Sequence, residues 1–109
     1  MENLSEMLKG VLEGMMLQII NQKEVYGYQI VKQLQELGFN DISEGTVYTI
    51  LTRLERKRMV LSTRMASELG PPRKFFRLSH RGQQELSSFW ERWNFLQARI
   101  NDLQTGVDQ

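Results

Sequence analysis

Thr49, Thr52, Arg53 and Arg56 recur at helical spacing within residues 44–58, with Thr46 and Tyr48 beside them. Hydroxyls and a guanidinium on one side of a helix are groups that donate to base edges or grip phosphate oxygens. Arg73 and Lys74, next to Gly70-Pro71-Pro72, add two mobile cations. Trp90 and Trp93, one turn apart near the C-terminal end, offer flat faces for stacking. Other chemistry is poorly provided for. The chain has no cysteine and one histidine, His80, which excludes a thiol nucleophile, a disulfide scaffold and a Cys- or multi-His-ligated metal. His80 lacks a partner carboxylate at catalytic spacing. There is no nucleophile–base pair, no phosphate-binding glycine loop and no metal constellation. Neither an enzyme nor a bound cofactor is expected.

Charge is unevenly placed. Residues 53–81 carry nine bases (Arg53, Arg56, Lys57, Arg58, Arg64, Arg73, Lys74, Arg77, Arg81) and two acids (Glu55, Glu68), a net of +7. The remainder is −6, and the whole 109-residue chain +1. A compact basic block on an acidic chain is an electrostatic footprint for a phosphate backbone. On charge alone, a merely solvated surface is an equal reading.

The elements that must position these residues follow from periodicity. The length and the 40% hydrophobic, 25% charged balance fit one small globular unit. No run of 18 apolar residues predicts a membrane span, and the N-terminus has no signal-peptide pattern, so a cytoplasmic protein is expected. Residues 4–21 predict a helix whose apolar positions between 11 and 20 wrap most of its circumference. Such a helix needs cover on more than one side, for which a second subunit is a candidate. Gly10 and Gly14 either admit a neighbouring helix or are simply tolerated, the second being the commoner case.

Ile30, Val31, Leu34 and Leu37 make an apolar stripe over 26–37, which Gly38 should stop, with Phe39 as a core anchor. Ser43 should cap the helix 44–58, whose buried side is Val47, Ile50, Leu51 and Leu54. Residues 60–67 and 74–78 predict a hairpin joined by a Glu68–Pro72 loop. Ser79 caps a last helix over 79–104. There Leu86, Phe89, Trp93, Leu96, Ile100 and Leu103 step by 3, 4, 3, 4, 3, a heptad seam suited to a second copy of the chain.

The expected fold is therefore mainly α with a small β-hairpin: a winged helix-turn-helix plus a long C-terminal dimerisation helix. In that plan the third helix enters a DNA major groove and the hairpin meets the backbone or minor groove. Residues 1–78, including the helix 4–21, form the expected DNA-binding domain, 79–104 the dimerisation helix and 105–109 a tail. The candidate DNA contacts are Tyr28, Ser43, Thr46, Tyr48, Thr49, Thr52, Arg53, Arg73 and Lys74. Tyr26 and Tyr28 are equally suited to packing against the third helix.

Five segments carry a family resemblance: Lys9-Gly10-Val11-Leu12-Glu13, Tyr26-Gly27-Tyr28, Ser43-Glu44-Gly45-Thr46-Val47-Tyr48, Arg53-Leu54-Glu55 and Gly70-Pro71-Pro72-Arg73-Lys74-Phe75-Phe76-Arg77-Leu78. In that order they resemble the PadR transcriptional regulators over residues 9 to 82. The resemblance implies a homodimer on a palindromic operator, usually a repressor, often released by an aromatic ligand. With one helix after the wing, the chain is similar to the short, multidrug-sensing branch. There a tryptophan and its symmetry mate sandwich planar aromatic compounds. Trp93 matches that position, Trp90 is its neighbour, and Met7, Met15 and Met16 are candidate adaptable lining. From the residues alone, Trp93 as plain dimer core is the commoner role. A winged-helix protein-interaction module that never touches DNA is the rival reading for the whole chain.

Overall fold

The computed structural model describes residues 4–67 and 69–106. Glu68 of the expected loop and residues 107–109 of the expected tail lie outside the described residues. The elements run α1 (Leu4–Leu8), α2 (Leu12–Gln22), β1 (Val25–Tyr26), α3 (Gly27–Glu36), α4 (Glu44–Arg56), β2 (Val60–Ser67), β3 (Gly70–Leu78) and α5 (His80–Thr105). This is a winged helix-turn-helix continued by one long helix.

Local chemistry sets the boundaries of the helix-turn-helix. Tyr26 N donates to Gln29 Oε1 at 3.0 Å, closing the first turn of α3. Gly38, at φ 104°, ends it, and Phe39 N donates back to Leu34 O at 3.0 Å. Ser43 Oγ then accepts from Thr46 N at 3.2 Å and starts α4. Arg58 takes the left-handed conformation at φ 61° that turns the chain from α4 into β2.

Helix α2 lies at the centre. Met16, Leu17 and Ile20 are buried with Ile30 and Leu34 of α3, Val47, Leu51 and Leu54 of α4, and Val25 and Val60 of the sheet. The extra cover demanded by its all-round apolar surface comes from within the protomer, because α2 packs against α5, α3 and β3. Gly14 is one reason: a Cβ there would lie 2.3 Å from the Phe89 ring of α5. Gly10 has nothing within 4 Å.

Four sequence expectations are corrected. The helix 4–21 is two helices, with a turn at residues 9–11 where the poor helix former Gly10 sits. Leu37 is 63% exposed rather than in the core, because α3 ends before it. Residues 25–26 form a third strand, giving the antiparallel order β1-β3-β2 with Val25 opposite Phe76. Finally, Gly70, Pro71 and Pro72 belong to β3 and not to a loop. Prolines are tolerated in a strand with a free edge, and β1 pairs only with Phe75 and Phe76.

Candidate nucleic-acid interface

Helix α4 buries Val47, Ile50, Leu51 and Leu54 and exposes Thr46, Tyr48, Thr49, Thr52, Arg53 and Arg56. The outward side is therefore the hydroxyl-and-guanidinium side. Some of these groups already hold one another. Ser43 Oγ lies 3.2 Å from Thr46 Oγ1, beside its capping contact. Thr52 Oγ1 donates to Tyr48 O at 2.9 Å, so its proton is committed to the helix while its oxygen still accepts.

Two clefts flank α4. The first, about 430 Å³, is lined by Tyr26, Tyr28, Tyr48, Pro72, Arg73 and Lys74. It joins α4 to the wing formed by β2 and β3. Gly27 makes it possible: a Cβ there would stand 2.5 Å from Tyr48 Cζ. The Arg73 guanidinium sits 4.6 Å from the Tyr26 ring centre, a cation–π geometry, and Tyr26 meets Phe75 edge-on at 5.2 Å. The second cleft, about 600 Å³, runs between α4 and the N-terminal helices. Its walls include Lys9, Glu13, Ser43, Thr46, Thr49 and Arg53.

Carboxylates engage two of the candidate DNA-binding cations. Glu13 Oε2 accepts from Arg53 Nε at 3.2 Å and Nη2 at 3.0 Å, and Glu13 Oε1 lies 4.0 Å from Lys57 Nζ. Lys74 Nζ donates to Glu55 Oε1 at 2.8 Å, and Ser62 Oγ donates to Glu55 Oε2. The Lys74 ammonium, with help from the Ser62 hydroxyl, holds the Glu55 carboxyl below its ordinary range.

Eight of the nine residues expected at the interface line these two clefts: Tyr28, Tyr48, Arg73 and Lys74 the first, Ser43, Thr46, Thr49 and Arg53 the second, with Thr52 exposed on the helix between. Sequence reasoning missed Glu13 and Glu55, which no spacing rule links to partners 40 and 19 residues away. It also missed Lys9 and Pro72 as cleft walls.

The aromatic candidates lie elsewhere. Trp90 Nε1 donates to Gln18 Oε1 of α2 at 2.9 Å, and its ring meets Phe89 edge-on. Trp93 is partly buried against the core, while Met7 stands exposed on α1. Leu86 and Phe89 of the heptad seam are buried within the protomer. Leu96, Ile100 and Leu103 are 50%, 53% and 72% exposed. Among the described residues, no helix is long and apolar enough to cross a membrane.

Comparison with known proteins supplies the relatives. The family model for the transcriptional regulator PadR-like family matches residues 16–88. The crystal structure of a PadR-like transcriptional regulator from Bacillus cereus is similar at 40% identity, covering 91% of this chain and 96% of that one, with a TM-score of 0.83. A transcriptional regulator from Streptococcus matches at 41% identity over 90% of this chain and 96% of its own, with a TM-score of 0.82. PadR of Bacillus subtilis, solved in complex with operator DNA, shares the fold at 24% identity, over 76% of this chain and 48% of that one, with a TM-score of 0.69.

Proposed function

The chain belongs to the PadR-like family of transcriptional regulators, and from that premise we propose that it is a homodimeric repressor that reads a palindromic operator. Each α4 enters a major groove at one half-site, and each wing holds the flanking backbone. The two half-sites then lie about one helical turn, ~34 Å, apart. The observation that carries this reading is the single cleft in which Tyr48 of α4 meets Pro72, Arg73 and Lys74 of the wing. Base-reading and backbone-holding groups there face the same space.

Within this reading, Thr46, Tyr48, Thr49 and Thr52 meet base edges or phosphates, and Ser43 meets a phosphate at the start of α4. Arg73 is a phosphate contact held in place by the Tyr26 ring. Replacing it, as Arg73→Ala, is expected to weaken binding to operator and unrelated duplexes alike. The slope of log affinity against log salt should become shallower by about one. A salt titration followed by fluorescence anisotropy measures both, and an unchanged slope would remove the wing from the interface.

The dimer forms through α5. Leu96, Ile100 and Leu103 leave an apolar surface uncovered at the end of the helix. A planar aromatic ligand between the two copies of Trp93, beside Trp90 and with Met7 as a candidate wall, relieves repression. Flat aromatic cations are expected to quench the tryptophan fluorescence of the parent chain and to leave Trp93→Ala unaffected. Equal quenching in both proteins would place any such ligand elsewhere.

A further inference from the structure

We infer that Glu13 is a built-in counterion of the DNA-reading surface, holding Arg53 and lying toward Lys57, so that DNA must break its contacts at a cost that only a correctly seated duplex recovers. The inference rests on the reading that α4 faces DNA. Its basis is the division of one carboxylate between a cation of α4 and the residue that caps its C-terminus: Oε2 on Arg53 at 3.0 Å and Oε1 toward Lys57 at 4.0 Å. Arg53 is thus engaged by charge-assisted hydrogen bonds, and Lys57 drawn toward the same carboxylate, before any duplex arrives.

The geometry gives the partners unequal freedom. Leu12 is buried in the core immediately before Glu13. Gly14 is pressed under the Phe89 ring immediately after it. The backbone that carries the carboxylate is therefore fixed. Its side chain is 27% exposed, against 45% and 47% for Arg53 and Lys57. A phosphate can draw the long cationic arms away, but the carboxylate stays behind as a negative charge in the wall of the cleft that also holds Thr46 and Thr49.

Two consequences follow. A duplex bound only through its backbone must break the Glu13 contacts and then sit beside an unpaired like charge, which weakens sequence-independent binding. A duplex that also satisfies the hydroxyls of α4 recovers that loss through contacts unavailable to the wrong sequence. Discrimination by a repulsive element, added to the attractive ones, is a general route to specificity.

Glu13→Gln keeps the size and the accepting oxygen while removing the charge. On an unrelated duplex, titrated from about 50 to 200 mM salt, this variant is expected to bind about twofold to fivefold more tightly than the parent. Its log–log salt slope should steepen by about one. The gain should largely vanish when Arg53→Gln is added. Glu13→Asp, which retains the charge, should keep the parent slope. Glu91→Gln, on the exposed side of α5, makes the same change in net charge and should produce a smaller gain. Circular dichroism checks that each variant keeps the parent helix content.

A folded Glu13→Gln protein with unchanged or weaker binding to unrelated duplex overturns the inference, as does an equal gain in Glu91→Gln. Failure of the parent chain to bind any duplex at low salt would instead refute the DNA-facing reading itself, and the inference with it.

Discussion

With Ile100 and Leu103 both replaced by glutamate, the chain is expected to sediment as a monomer and to lose about a hundredfold or more in operator affinity. Both side chains are largely exposed in the protomer, at 53% and 72%, so the substitutions leave its own core intact. In a two-fold dimer each new carboxylate falls on or near its own copy, because an isologous contact brings the same patch of both subunits together. Four like charges in a seam that otherwise buries aliphatic side chains oppose association strongly. The affinity loss comes from a different source. Two linked reading heads bind with an avidity that exceeds one head by roughly 10²–10⁴ without any added contact. Sedimentation and anisotropy on the same samples separate the two effects, with circular dichroism reporting the fold. A double variant that stays dimeric removes α5 as the seam. A monomer that still binds operator as tightly as the parent removes the need for two heads.

Gly82→Ala is expected to cost about 3 kcal/mol of folding stability, which lowers the urea midpoint by about 1–2 M. A Cβ at Gly82 would stand 2.0 Å from Met59 O and 3.0 Å from Met59 C. The obstacle is backbone, and that backbone is held. Met59 O accepts from Ser79 N at 3.1 Å and from Ser79 Oγ at 3.0 Å, while Met59 N donates to Leu54 O at 2.9 Å. Moving it would loosen Ser79, the residue that caps α5, and the bond that turns the chain back onto α4 together. Gly10→Ala is the control. With no atom within 4 Å of its Cβ, it should change stability by a few tenths of a kcal/mol at most. A Gly82→Ala protein with the parent's midpoint would mean that α5 can shift away from the wing without loss.

The two glycines also mark how far local patterns reach. The stop at Gly38 and the caps at Ser43 and Ser79 are legible because each is a contact between residues three to five apart. The same holds for the two sides of α4, where a 3.6-residue period sorts Val47, Ile50, Leu51 and Leu54 from the hydroxyls. Gly82 had no such signature. It matters because Met59, far back along the chain, folds against it.

The seam of α5 illustrates the same limit. Leu86, Phe89, Trp93, Leu96, Ile100 and Leu103 form one heptad pattern, and the pattern does not say what covers each position. In the folded chain α2 covers Phe89 and the core buries Leu86, so the exposed aliphatic run begins only at Leu96. A helix reports the face that must be buried, and its neighbours decide against what.

From the sequence by itself came the order of the helices, the hairpin, the polar outward side of α4 and the basic block around it. Those are properties of neighbouring residues and of period, and they survive whatever the rest of the chain does. Only the tertiary structure decided which cations stand free. Arg53 rests on Glu13, 40 residues away, and Lys74 on Glu55, 19 residues away. Tyr48 reaches the wing cleft because Gly27, on another helix, leaves room for its ring. Charge pairing and steric room depend on distance through space, and only folding brings separate segments of one chain together.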